Sequence, residues 1–168
     1  MDPSLRSSEN DAELFSILKE ILIDTVRKIF RDSYGLTIER SHELSSCDDE
    51  YLTYNNISSS IEFHGKLVGI VIIIVEKKFA RHLLMQMGLG ALSPEEESEY
   101  IHDSMGELLN IILGNATNVL LEKNISIGIE PPSIFNFENQ DVDMIKQNAW
   151  IYQINTAQGK CCLVLKNN

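Results

Sequence analysis

A chain of 168 residues, 43% of them hydrophobic, holds enough apolar material for one domain with a sizeable core, which excludes a disordered chain. Its formal net charge of −11, with no cluster of Lys and Arg to neutralise phosphates, disfavours nucleic acid and anionic membranes as partners. The same charge favours a soluble protein whose partner carries a positive patch.

Met1 to Asn10 is polar and reads as a flexible N-terminus rather than a signal peptide, leaving 11–168 as a single domain. Asp11 to Ser33 reads as the first helix, with Leu14, Ile17, Leu18, Ile21, Leu22, Val26, Ile29 and Phe30 at helical spacing and Gly35 closing it. Leu36 to His42 is a short strand, and Ser45 to Glu50 a polar, acidic connection. Ile57 to His64 alternates, with Ile57, Ile61 and Phe63 on one face. Leu67 to Val75 is apolar on both faces and too short to span a bilayer, so it is expected to be a central strand covered on both sides. The two segments form a hairpin turning near His64-Gly65.

Lys77 to Met87 reads as a second helix, ended by Gly88 and Gly90. Ser93-Pro94-Glu95-Glu96 opens a long third helix: Ser93 caps it, Pro94 suits the first helical position, and Glu96 completes a capping box. Glu95, Glu96 and Glu97 complement the positive end of the helix dipole, so this acidic run is helix chemistry rather than a metal site. The helix runs to about Leu121. Ile125 to Ile129 is a strand broken by Pro131-Pro132, and Ser133 to Asn148 is a long acidic loop. Trp150, Tyr152 and Ile154 alternate in a strand, Gln158-Gly159-Lys160 turns the chain, and Cys161 to Leu165 returns.

Each half thus reads as helix, strand, hairpin, with turns at Gly65-Lys66 and Gly159-Lys160, a faint internal repeat. The architecture implied is α+β: an antiparallel-rich sheet with packed helices. Cys47, Cys161 and Cys162 give no disulfide framework, and neighbouring strand residues point to opposite faces, so Cys161 and Cys162 are poorly placed to share a metal. A reduced, cytoplasmic setting and no metal of its own are the expectations. The four histidines, His42, His64, His82 and His102, are scattered and read as structural.

The long third helix carries the informative run, Asp103-Ser104-Met105-Gly106-Glu107-Leu108-Leu109-Asn110. At about 100° of rotation per residue, Ile101, Met105, Leu108, Leu109, Ile112, Ala116, Val119 and Leu120 cluster on one side. Asp103, Glu107, Asn110 and Gly114 fall on nearly the opposite side, and Glu107 and Asn110, at i and i+3, are surface neighbours. A carboxylate and a carboxamide are thereby held side by side on a rigid element.

The pattern Asp103-x3-Glu107-x2-Asn110, followed by Gly114-Asn115-Ala116 and, after a strand, by Pro132, resembles the signature of the CheC/CheX/FliY family of chemotaxis phosphatases. The resemblance extends over most of the chain, through the Gly65 to Gly69 hairpin and the Ala80 to Gly88 helix. Two-site members carry the signature in both halves. Here the first helix offers Ser16-x3-Glu20, but Ile23 stands where the Asn belongs, so the resemblance is to the single-site, CheX-like members. It implies a three-layer α+β domain, a homodimer and hydrolysis of the aspartyl phosphate on a CheY-like receiver domain in chemotaxis or another two-component pathway. It also implies that Mg²⁺ comes with the receiver, that Asn110 and Glu107 are catalytic, and that Asp103, Glu107 and Gly114 face the partner. Pro131-Pro132 and the 133–148 segment are departures in detail from the family. A non-catalytic module docking on a receiver or signalling scaffold is the competing reading, and retention of both Glu107 and Asn110 favours the enzyme.

Overall fold

The computed structural model describes residues 3–44, 56–86, 88, 92–135 and 149–167. Three helices and seven strands occur among them: α1 (Pro3–Tyr34), β1 (Ile38–Leu44), β2 (Asn56–Gly65), β3 (Gly69–Glu76), α2 (Lys77–Gln86), α3 (Pro94–Glu122), β4 (Ile127–Ile129), β5 (Ser133–Phe135), β6 (Ala149–Thr156) and β7 (Gly159–Asn167). The fold is α+β, and the strand pairings in its seven-stranded sheet are antiparallel among the described residues.

The sheet order β1-β6-β7-β3-β2-β4 gives the internal repeat a geometric form. Exchanging the first half's β1, β2 and β3 for the second half's β4, β6 and β7 returns the same order. The hairpin β2–β3 meets the hairpin β6–β7 through β3 and β7, with Ile72 opposite Val164. Each lone strand crosses over: β1 pairs with β6 of the other half, and β4 with β2. The two long helices α1 and α3, equivalent in the same exchange, pack against each other.

β3 is central and is buried on both faces, as its unbroken apolar run requires. Val71, Ile73 and Val75 join the main core with Leu18, Leu22 and Phe30 of α1, Phe79 of α2 and Met105, Leu109 and Ile112 of α3. Ile72 and Ile74 face the other way, into a smaller cluster with Ile151, Cys162 and Val164. Each fully buried Leu, Ile or Phe contributes roughly 1.5–3 kcal/mol before conformational entropy is subtracted. The helical layer is therefore anchored mainly through the odd-numbered residues of β3 and their neighbours across the sheet.

α1 stops where the sequence calls for it. Gly35 adopts φ +60°, its N–H donates to Arg31 C=O at 3.2 Å, and the Leu36 N–H donates to Phe30 C=O at 2.9 Å. A left-handed residue just past a helix suits glycine, which has no Cβ to clash. Two expectations are corrected. α1 begins at Pro3, whereas the apolar periodicity places the helix start at Asp11. Ser133–Phe135 is not loop but β5, paired with Ser58–Ser60 of β2. The acidic connection at Ser45 to Glu50 and the rest of the 133–148 segment lie outside the described residues.

Candidate functional site

α3 is fixed at its start by the expected cap. Ser93 is extended (φ −68°, ψ 161°), its Oγ accepts from the Glu96 N–H at 3.2 Å, and Glu96 Oε2 accepts from the Ser93 N–H at 2.8 Å. Those hydrogen bonds, the backbone one foremost, hold the Glu96 carboxyl below the usual carboxylate range. Glu97 pairs with Arg81 of α2, so two of the three leading glutamates have structural partners. Among the described residues no group of His, Cys, Asp or Glu could hold a metal ion.

Further along, α3 divides by face. Ile101, Met105, Leu108, Leu109, Ile112 and Ala116 are buried, whereas Asp103, Glu107 and Asn110 are exposed. The polar triplet thus stands on the outer face of a helix whose inner face is locked into the core. Among the described residues no hydrogen bond engages the Asn110 carboxamide. Its neighbour amide behaves differently: Asn115 Nδ2 donates back to Ile111 C=O at 2.8 Å and is occupied within the helix. Asn110 therefore keeps both a donor and an acceptor available to an outside group. Gly114 is half-buried with no atom within 4 Å of where a Cβ would stand, so it serves no tight helix packing, and the space over it is open.

The proline of the signature comes back to the same helix. β5 pairs with β2, and this holds Pro132 against Gly106, whose added Cβ would lie 3.5 Å from Pro132 Cγ and 3.6 Å from Ile134 Cδ1. Gly106 sits directly before Glu107, so Pro132 flanks the polar face rather than merely ending a strand. The spacing signals the proline; the contact needs β5, which the sequence does not reveal.

The sequence carries no signal for one neighbour of the site. Tyr34, the last residue of α1, packs against the main core and is half-buried. Burial first, and then the nearby Glu107 carboxylate, raises its phenol above the ordinary tyrosine value. A neutral hydroxyl from the other long helix therefore stands within electrostatic reach of Glu107. His102, next to Asp103, is half-buried; none of the four histidines joins the triplet through a hydrogen bond among the described residues.

A family model described as chemotaxis phosphatase CheX matches residues 57–155, from β2 to the end of β6. No curated protein matches the chain. Among solved structures, the chain is similar to CheX of Borrelia burgdorferi in a CheX-CheY-BeF3-Mg²⁺ complex, at 20% identity over 88% of this chain and 95% of that one, with a TM-score of 0.72. It is similar to chemotaxis protein CheX of Vibrio vulnificus at 15% identity, covering 90% and 99% of the two chains, with a TM-score of 0.69. Similarity extends to FliY of Thermotoga maritima, at 19% identity over 98% and 90%, with a TM-score of 0.59. The match of the family model over more than half of its length makes this chain a member of the chemotaxis phosphatase CheX family.

Proposed function

We propose that this chain hydrolyses the aspartyl phosphate of a CheY-like receiver domain, with Asn110 and Glu107 as its catalytic residues. The observation that carries the reading is the pairing of an exposed carboxylate and an unengaged carboxamide on the outer face of a helix anchored at its cap and core. An exposed helix face suits a substrate that presents its own active site to it. The similar CheX of Borrelia burgdorferi, solved with CheY, BeF3 and Mg²⁺, supports a receiver as the partner and Mg²⁺ as the receiver's contribution.

Phosphoryl transfer to water is mostly positioning and charge stabilisation. A carboxamide is no general base at neutral pH, but it can accept from a water proton and donate to a second oxygen. Asn110 therefore orients the attacking water in line with the leaving aspartyl oxygen. Glu107 would be repelled by a phosphoryl group, so it pairs with the receiver's active-site lysine and sets the register of Asn110. Asp103, one turn earlier, supports docking, and the open space over Gly114 admits the receiver's backbone. Tyr34 keeps a neutral hydroxyl beside Glu107 and leaves its charge for the partner.

We place the activity in the cytoplasm, with the chain as a homodimer; no described helix is long and apolar enough to cross a membrane. The deciding assay is decay of phosphate on a labelled receiver in Mg²⁺, with and without this protein. Acceleration is expected. Binding to the phosphorylated receiver with no change in its decay would make the chain a docking module instead. Sedimentation at micromolar concentration giving only a 19.0 kDa species would overturn the dimer.

A further inference from the structure

Three of the chain's five arginines line one groove, although the protein as a whole carries a net charge of −11. The groove encloses about 510 Å³ between the C-terminal half of α1 and the start of β1. Arg27 and Arg31, one helical turn apart, form one wall, and the unbroken run Leu36–Ser41, which includes Arg40, forms the other. Arg31 is forked onto its neighbour Asp32 at 2.7 and 3.3 Å, which leaves Arg27 and Arg40 as the guanidiniums without a carboxylate partner among the described residues. Glu39 also lines the groove, so positive charge prevails but is not alone.

Arg27 is held in place in advance. Its Nη2 donates to Ser41 Oγ at 2.8 Å and to Tyr152 Oη at 2.7 Å, Tyr152 Oη donates to Ser41 Oγ at 2.9 Å, and the guanidinium lies 5.9 Å from the Tyr152 ring centroid. This network ties α1 to β1 and β6 and fixes a charge without spending the remaining guanidinium donors. β1 is the outermost strand of the sheet and pairs with β6 alone among the described residues. Ile38–Ser41 of the groove wall belong to β1, and the edge of a strand away from its one partner carries main-chain N–H and C=O groups that a further strand can pair with.

We propose that this groove docks an extended, acidic peptide segment of a partner protein, which adds to the open edge of β1 and sets its carboxylates against Arg27 and Arg40. The shape decides between an extended peptide and a small anion. Four consecutive residues of the wall, Ile38–Ser41, lie in β1, whose pairing with β6 shifts register between Ile38 and Arg40, so main-chain pairing can proceed from Arg40 toward Leu44, whereas a single anion would use one end. The charge decides the kind of peptide, since basic segments would meet Arg27 and Arg40, neither of which has a carboxylate partner among the described residues.

The test uses a fluorescent peptide of alternating Val and Glu, about six residues long to match a typical strand, and the same peptide with Lys for Glu. Anisotropy against the full chain is read at low salt and at about 0.5 M salt, where exposed charges are screened. Binding of the acidic peptide alone is expected, weakened by salt. Arg40→Glu should weaken it by at least about tenfold and Arg40→Gln by less, with unchanged circular dichroism. Amide exchange should slow at Ile38–Leu44 on binding. Failure of the acidic peptide to bind, equal binding of the basic peptide, or unchanged affinity in Arg40→Glu would overturn the proposal. Full competition by inorganic phosphate without protection of β1 would make the groove a small-anion site. Protection of β1 by self-association, with no peptide effect, would assign the edge to a second copy.

Discussion

The two long helices are equivalent in the sheet's internal repeat and differ where chemistry is concerned. α3 carries Asp103, Glu107 and Asn110 on its exposed face; at the same spacing α1 carries Ser16, Glu20 and Ile23. Ser16 and Glu20 are exposed like their counterparts, but Ile23 is half-buried and packs against the main core. A carboxamide can turn outward and hold water; an isoleucine at the matching position gains by turning inward. The scaffold therefore offers two matching faces that share the glutamate; the carboxamide against the isoleucine is the difference on which the proposed activity of α3 rests.

The largest effect that tests this contrast is loss of Asn110. Asn110→Ala should slow receiver dephosphorylation by about 2–4 kcal/mol, roughly 30- to 1000-fold, while binding of the phosphorylated receiver stays near wild type. Asn110→Asp should not rescue the rate, because it puts a negative charge near the phosphoryl group. Full activity of Asn110→Ala in a working phosphatase would move the catalytic site elsewhere. Glu107 should fail differently: Glu107→Ala and Glu107→Gln both lose the charge proposed to meet the receiver's lysine, so binding and single-turnover rate should fall together. A Glu107→Gln protein that binds as wild type would refute the ion-pair role.

How much of this was legible varies with the kind of signal. The triplet and the capping box are local patterns within two turns of one helix, and the sequence displays them directly. Leu67 to Val75 announced a doubly covered strand by lacking any polar face. β5 was hidden because Ser133-Ile134-Phe135 is three residues long, too short to show a strand's alternation, and directly follows Pro131-Pro132. Tyr34 was hidden for another reason: its closeness to Glu107 depends on how α1 packs on α3, which no local pattern encodes. The internal repeat was visible as an order of elements, but the crossover of β1 and β4 into the opposite half appears only in the sheet.

A smaller effect is expected at the cap of α3. Ser93→Ala should cost about 1 kcal/mol in denaturant unfolding at neutral pH. Because the Glu96 carboxyl is held below its ordinary value when folded, its contribution is present above the unfolded carboxylate range and is lost as pH falls through the folded one. Glu96→Gln should therefore flatten the acid limb of stability, and an unchanged acid limb would discount the box. The smallest effect belongs to α1's own triplet. Glu20→Ala should leave the dephosphorylation rate unchanged and alter stability by no more than about 0.5 kcal/mol. A rate loss at Glu20 approaching that at Glu107 would mean that both faces work.

Cys161 and Cys162 follow one another in β7, yet the first is buried in the helical core and the second in the small cluster on the opposite side of the sheet. Burial pushes the Cys161 thiol well above its ordinary value, so it stays protonated and inert while its side remains closed. Adjacent in sequence and separated by the sheet, the two sulfurs are a pair of built-in reporters. With single-cysteine variants, alkylation of Cys161 times the lifting of the helices, and alkylation of Cys162 times exposure of the far face. Equal labelling rates would mean that the molecule opens all at once; unequal rates would reveal which side lets go first.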